Sequence, residues 1–461
     1  MFTEIELKNY MSLKNIKLDM KQKNDAKSIV AIYGENGSGK SNVVSAFMNL
    51  SLSINTLKSQ KIFNKMESNI LSDDENDNNM SDDAKKMKLD AIRSIQNSQY
   101  TSLLRIFQNT YLFGEHGPTE LKFNFKIDGH AGYYKLVFEK SNGKAYLATE
   151  ELNYVIKKSS GMIYIITGDK DGNISYKLSP QLLKNKELFA SIDDSIYRLW
   201  GKHSFLSIFN EFQNENNNKY IEDNVLASFL TVISDFRQIS FKTDGASGMS
   251  QFPKLLPDLY RGTIDYDGSE ERIIRTIAAL DKYFVPLYSD IVELSYKSIR
   301  VDDNMIRYEL YEKKRISNKI VEIPFALESN GTKRLLDLFP LFLNAVNGNT
   351  VIIDEIDQGI HDLLIDRIID NIKEDITGQL IFTTHDTQVM KQLDVSSLYV
   401  IQVDSEGNKR IVNISKASKG KIAANNNIQK LYLDGYFAGI PYSDDVDFYD
   451  ILEGIGVNND K

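Results

Sequence analysis

Three short stretches bring together residue types that could do chemistry. The first is Gly34-Glu35-Asn36-Gly37-Ser38-Gly39-Lys40-Ser41, a full match to G-x-x-x-x-G-K-[ST]. Glycines at these places let successive backbone N–H groups curl around a β-phosphate. The lysine neutralises β/γ oxygens and the serine hydroxyl can ligate Mg²⁺. The second is Val351-Ile352-Ile353-Asp354-Glu355, an apolar run ending in two acids. The first acid could support Mg²⁺ and the second could polarise a water as general base. The third is Phe382-Thr383-Thr384-His385, the end of another apolar run. An imidazole there could bond a γ-phosphate oxygen or the attacking water. A fourth stretch, Ser329-Asn330-Gly331-Thr332-Lys333, opens a helical pattern. Its serine is equally a helix cap and, with the N–H groups beside it, an anion site.

These residues need elements to position them. Ser28–Tyr33 (SIVAIY) reads as a buried strand, and a helix is expected from Asn42 to about Thr56. Strand, glycine-rich loop and helix then follow in the order a phosphate site requires. The stretches 350–357 and 378–386 read as further strands, with helices over 328–346 and 361–374. Neighbouring strand ends in such a sheet open on one crevice. Residues 2–20 read as two strands. Alternating strands with Gly-containing turns fill 119–167, the pattern of an antiparallel sheet. Helical patterns cover about 180–241 and 269–289, and strands return over 292–323. The acidic, Asn-rich run 72–83 has almost no apolar residue, so it reads as a mobile loop tip, with a helix at 83–95.

The expected division is therefore 1–56 and 291–410 as the two parts of a nucleotide-binding core. A charged insertion at 57–98 separates the first part from an antiparallel subdomain at 99–179. A helical insertion at 180–290 and a tail at 411–461 complete the chain. The long interval between Lys40 and Asp354 requires such insertions.

The chain has 461 residues and is large enough to bury a core without staples. With 55 Lys+Arg against 64 Asp+Glu, its net charge of −9 argues against a surface that is one broad nucleic-acid footprint. It has no cysteine, which excludes disulfides, thiolate zinc sites, iron–sulfur clusters and Cys nucleophiles. No run of 18 apolar residues exists and the first residues lack the continuous apolar stretch of a signal peptide. A soluble cytoplasmic protein with no membrane partner is the expectation.

GENGSGKS, SNGTK, IIDE and TTH occur in the order seen in ABC-type ATPases of the SMC/RecF/OLD class. The chain most resembles the single-chain, AAA-type, ABC-like ATPases related to RloA, AbiL and the PARIS ATPase subunit. The shared pattern includes a YYKLVFE-like hairpin, KHSFLS (202–207), ESNGTKRLL, IIDEIDQGIH, FTTHD and LYLDGYFAGIP (431–441). The resemblance implies an α/β fold: an ABC-type P-loop ATPase core, with a mixed sheet and an antiparallel subdomain, carrying helical insertions. It implies ATP and Mg²⁺ as cofactors and a homodimer or larger homo-oligomer that sandwiches two ATPs head to tail. Gly34, Asn36, Gly37, Ser38, Gly39, Lys40, Ser41 and Asn42 would hold phosphate, with Ser41 and Asp354 on Mg²⁺. Glu355 would act as base beside Lys40 and the switch histidine His385. Ser329 and Gly331 would reach the partner's γ-phosphate. Asn330 and Thr332 depart from the Gly-Gly-Gln continuation of ABC transporters, and His361 stands where their D-loop would fall. Gln99 and Gln108 are the Q-loop candidates. The resemblance also implies a role as sensor or scaffold in abortive, anti-phage defence. A separate effector, a Toprim-type nuclease, would be the partner and a phage product the trigger. The alternative is a RecF/SMC-like DNA-repair ATPase, kept open by the Lys-containing stretches 57–65 and 85–88.

Two other patterns carry less. Arg198 and His203 fit R-x4-H, a ribonuclease spacing, but His203 already lies within KHSFLS. Asp445-Val446-Asp447 matches D-x-D and reads as a solvated acidic tail. His116 and His130 have no paired ligand nearby, so no metal site is assigned to them.

Overall fold

A computed structural model describes residues 1–72, 101–417, 427–440 and 445–455. The expected loop tip from residue 73, the helix at 83–95, Gln99 and the lysines of 85–88 lie outside the described residues.

The antiparallel sheet is built from β1 (Phe2–Tyr10), β2 (Leu13–Asp19), β6 (Thr119–Ile127), β7 (His130–Ser141), β8 (Lys144–Val155), β9 (Ser160–Gly168) and β10 (Ile174–Leu178). Its order is β10-β9-β8-β7-β6-β1-β2. In β6 the sequence TELKFNFKI alternates, and so does its burial. The turns Asp128-Gly129 and Asn142-Gly143 have positive φ at all four residues, the primed geometry that matches strand twist. A small hairpin, β3 (Lys21–Gln22) with β4 (Asp25–Ala26), follows β2.

The second sheet holds the candidate chemistry. It comprises β5 (Ile29–Tyr33), β11 (Ser240–Lys242), β12 (Ser247–Gly248), β17 (Thr350–Ile353), β18 (Gln379–Thr383), β19 (Leu398–Val403) and β20 (Lys409–Asn413). The order is β12-β11-β17-β18-β5-β19-β20. The inner five strands are parallel and the two outer ones antiparallel. IVAIY, TVII and QLIFT are buried at every residue, as expected for parallel strands covered on both faces. Alternate side chains enter two cores. Val30, Ile32, Ile352 and Ile381 pack with the antiparallel sheet. Ile29, Ala31, Tyr33, Val351, Ile353, Leu380 and Phe382 pack on the other side.

Helices cover these faces. They are α1 (Lys40–Ser53), α2 (Thr56–Ser72), α3 (Leu103–Phe107), α4 (Lys186–Leu199), α5 (Phe205–Glu215), α6 (Asn218–Asn224) and α7 (Ala227–Arg237). Further along come α8 (Ser269–Phe284), α9 (Asn330–Val346), α10 (Asp362–Ile372), α11 (Ile414–Ala417), α12 (Ile428–Leu433) and α13 (Phe448–Gly454). A third sheet joins β13 (Arg261–Asp265), β14 (Ile291–Arg300), β15 (Met305–Ile316) and β16 (Lys319–Pro324) around β15.

The stretch expected to be helical at 180–290 contains α4 to α8, but at Ser240 the chain enters the core sheet as β11, parallel to β17. Three residues of strand leave too short a periodic signal to read. The two large sheets are joined by Gln379 of β18. Its amide accepts from Phe2 N at 2.8 Å and donates to Phe2 O at 2.8 Å and Lys27 O at 3.0 Å, fully buried.

Candidate phosphate and hydrolysis site

β5 ends at Tyr33 and the loop turns through three glycines of positive φ, Gly34 at 152°, Gly37 at 77° and Gly39 at 105°. A Cβ on Gly34 would lie 2.7 Å from Ser38 Oγ and 3.2 Å from Ile401 O; one on Gly39 would meet Leu13 Cδ2 at 2.8 Å. Glycine is required here by space as well as by dihedral. Gly39 is the N-cap of α1, so the helix begins at Lys40 rather than Asn42. Lys40 Nζ donates to Gly34 O at 2.7 Å and Glu35 O at 3.0 Å. Burial lowers its pKa, opposed by the carboxylates of Glu355, Asp354, Asp357 and Glu35. The Lys40 cation thus faces the acids at the end of β17.

Those acids are fixed by β18. Thr383 Oγ1 donates to Asp354 Oδ1 at 2.6 Å and accepts from Glu355 N at 2.8 Å. Asp354 N donates to Lys242 O on β11 at 2.8 Å. Glu355 sits at φ 48°, a left-handed conformation that a non-glycine residue holds only when its surroundings impose it. Arg334 of α9 donates to Asp354 O and Glu355 O at 3.2 and 3.3 Å, tying that helix to the same turn. His385 follows β18, exposed, with its backbone N–H donating to Asp357 Oδ2 at 3.3 Å. Burial and then the Lys40 charge lower its pKa, against Asp357, Glu355 and Asp354. The sheet order therefore gathers Lys40, Asp354, Glu355 and His385 on one crevice.

The residues fit a nucleotide phosphate with Mg²⁺. Ser38 Oγ is buried with no hydrogen-bond partner, inside a loop where Gly34 and Gly39 leave no room for a Cβ. Ser41 is exposed at the start of α1, and Asn36 and Gly37 are exposed at the loop apex. Among the described residues no group of three or more His, Asp or Glu could hold a metal ion alone. A cation between Ser41 and Asp354 would need phosphate oxygens to complete its shell.

Ser329 caps α9, its Oγ accepting from Thr332 N at 3.2 Å and lying 2.9 Å from Thr332 Oγ1. Gly331 is pressed against the loop after β17: a Cβ there would be 2.3 Å from Gly359 O. His361 caps α10 through Nδ1, 3.2 Å from Leu363 N. Gln108 is exposed at the end of α3.

Sequence reasoning missed four contributors. Thr383 and Arg334 are described above. Lys409 of β20 donates to Gly37 O and Ser12 Oγ, both at 2.7 Å, while Asn42 Nδ2 donates to Ser12 Oγ at 2.7 Å. The fourth is the segment 427–440. Tyr432 packs its ring 5.7 Å from Tyr33 and donates to Gly439 O at 2.9 Å. Gln429 donates to Thr387 Oγ1 at 3.0 Å, two residues beyond His385. A Cβ on Gly439 would meet Val400 Cγ1 at 2.3 Å and Gly34 Cα at 3.7 Å. The tail expected after residue 410 is, over these residues, part of the wall behind the loop.

The ribonuclease pattern comes apart. His203 is fully buried, its ring nitrogens 3.0 Å from Thr56 Oγ1 and 2.8 Å from Gln60 Oε1. Arg198 is exposed and paired with Asp194 at 2.7 Å. Trp200, in the core beside the antiparallel sheet, donates Nε1–H to the buried Glu150 at 2.8 Å. Asp447 caps α13.

The fold and this arrangement define a P-loop ATPase-type α/β protein. Residues 174–391 match the family model described as "AAA domain, putative AbiEii toxin, Type IV TA system". That span holds Ser329, Asp354, Glu355 and His385 but not the glycine-rich loop. No curated protein matches. Among solved structures, the SMC head domain from Thermotoga maritima is 14% identical with a TM-score of 0.37, covering 90% of this chain and 98% of that one. An SMC head bound to the C-winged helix domain of ScpA is 14% identical with a TM-score of 0.41, covering 89% and 96%. An SMC head with an extended coiled coil bound to the C-terminal domain of ScpA, derived from Pyrococcus furiosus, is 15% identical with a TM-score of 0.37, covering 89% and 95%. Among the described residues no helix is long and apolar enough to cross a membrane.

Proposed function

We propose that this chain is a slow, Mg²⁺-dependent ATPase whose two copies close head to tail around two nucleotides. The observation that carries it is the gathering of Lys40, Asp354, Glu355 and His385 at adjacent strand ends. Lys40 would leave the carbonyls of Gly34 and Glu35 for β/γ oxygens, with Ser41 and Asp354 supporting the metal. Glu355 takes the proton of the attacking water, and His385 orients that water or a γ-phosphate oxygen. Ser329 and Gly331 complete the partner's site from the start of α9. Steady-state phosphate release tests this: Glu355→Gln should lower turnover at least roughly a hundredfold while ATP still binds. Equal turnover in both proteins would remove the hydrolysis assignment.

The proposed biological role is a sensor or scaffold in anti-phage, abortive-infection defence, acting through a separate effector such as a Toprim-type nuclease. The family description supports a toxin–antitoxin setting. Affinity capture of tagged Glu355→Gln with ATP from the native host tests it. A nuclease or toxin encoded beside this gene is the expected companion; recombination proteins or DNA would favour the repair alternative. Lys61, within one of the lysine stretches that kept that alternative open, is paired with Glu211 and Glu215.

A further inference from the structure

The last described helix, α13, presents an apolar face to solvent. Phe448, Ile451, Leu452 and Ile455 recur at i, i+3, i+4 and i+7, the spacing of a helix that lies on an apolar surface. Phe448 is 71% and Ile455 70% exposed, and no residue of α13 is buried. Four such side chains in water form a patch that a soluble protein normally covers. The same segment, 445–455, carries Asp445, Asp447, Asp450 and Glu453 and no Lys, Arg or His.

The complementary surface is on the chain itself. β15 and β16 turn tightly at Ser317 and Asn318, both of positive φ. Cross-strand neighbours Arg315 and Ile320, Ile316 and Lys319, and Lys314 and Val321 set apolar groups beside cations. Ile316, Ile320 and Val321 are exposed. Residues 313–321 hold Lys313, Lys314, Arg315 and Lys319 and no acid. Lys313 is paired with Glu293, and Lys314 with Asp290 and Glu328. Arg315 and Lys319 make no ion pair among the described residues.

We propose that α13 of one protomer docks on the β15–β16 hairpin of a second copy of this chain. The inference rests on the head-to-tail reading above. The chain leading to α13 is rooted at the phosphate loop, where Gly439 lies against Gly34. From Ile440 to Asp445 the backbone reaches at most about 18 Å. β16 runs through Phe325–Leu327 directly into Ser329 and α9. In the head-to-tail arrangement, with one protomer's loop opposite its partner's α9, this reach and the course of β16 would allow α13 to meet the partner's hairpin. The carboxylates of α13 would then meet Arg315 and Lys319, the hairpin cations without an ion pair among the described residues, around an apolar centre.

The test uses full-length Glu355→Gln with Mg-ATP, the dimer constant being measured by sedimentation velocity. In this background Ile451→Asp with Leu452→Asp should weaken dimerisation tenfold or more. Asp450→Lys with Glu453→Lys should do likewise, as should Arg315→Glu with Lys319→Glu. Mixing the last two variants should restore most of the loss in the heterodimer, as opposite charges meet again. Each variant is first checked for an unchanged melting temperature and ATP affinity. An ATP-dependent dimer indifferent to all these changes overturns the docking inference alone. The same holds for losses without rescue, which would place α13 on another protein or on its own protomer. ATP binding without any dimer overturns the head-to-tail reading and this inference together.

Discussion

At the scale of single residues, the acids of the site depend on a threonine that is neither acid nor base. Thr383 donates its proton to the Asp354 carboxylate and accepts from the Glu355 backbone N–H, so one hydroxyl holds the first acid's side chain and the second acid's backbone. It also holds Glu355 in the left-handed region, where its backbone would not otherwise rest. Thr383→Val keeps the volume and removes both bonds. Turnover should fall roughly 10–100-fold, the usual cost of losing such a supporting partner, with ATP affinity changed far less. Parallel measurement of kcat and the ATP dissociation constant checks this; an unchanged kcat would mean that the sheet alone orders the turn. The phosphate loop, Asp354, Glu355 and His385 were legible because each motif is contiguous and sits at the end of an apolar run. The support from Thr383, Arg334 and Lys409 was not. Each acts on a residue distant in sequence, and nothing local to a threonine or lysine announces what a neighbouring strand brings beside it.

At the scale of elements, two junctions decide how the site is carried. The first is between α9 and the loop after β17, where Gly331 touches Gly359 O. Gly331→Ala would force these apart, and Arg334, bonded to both Asp354 and Glu355 carbonyls, would move with α9. Overpacking of this kind costs about 1–3 kcal/mol. Thermal or urea unfolding of the variant should show that loss in the absence of nucleotide; wild-type stability would mean that the loop yields freely. The second junction joins α5, α2 and the antiparallel sheet through His203 and Glu150. Burial pushes His203 down to about 4, against an ordinary value near 6.5. Below pH 6.5 the unfolded chain takes up a proton that the folded one refuses. The contribution is therefore complete above 6.5, is lost as pH falls from 6.5 to about 4, and amounts to at most roughly 3 kcal/mol. His203→Gln should flatten the melting-temperature profile in that window relative to wild type; parallel profiles would show that His203 titrates normally. KHSFLS was visible as a motif, and the Asp-Gly and Asn-Gly turns announced their hairpins. β11 was hidden because three residues carry no period, and 427–440 because a tyrosine- and glycine-rich stretch does not reveal what it packs on.

At the scale of the whole molecule, the central sheet belongs to two cores at once. Val30 and Ile32 of β5 face the core shared with the antiparallel sheet, while Ile29, Ala31 and Tyr33 face the core shared with α9 and α10. The phosphate loop hangs from this one strand, and Gln379 staples the same sheet to the chain's first residues. Ligand binding at the loop should therefore stabilise both cores rather than one. Trp200 is the single tryptophan and lies in the first core, hydrogen-bonded to Glu150. Its fluorescence reports that side of the molecule only, whereas calorimetry reports all of it. Mg-ATP at a hundred times its dissociation constant adds about 2.7 kcal/mol to a folded state that alone binds it. In Glu355→Gln, the Trp200 midpoint and the calorimetric midpoint should rise together by the same number of degrees. A Trp200 transition that stays at its nucleotide-free temperature while the calorimetric peak moves or splits would mean that the cores unfold separately. The sheet would then transmit nothing from the loop to the antiparallel half.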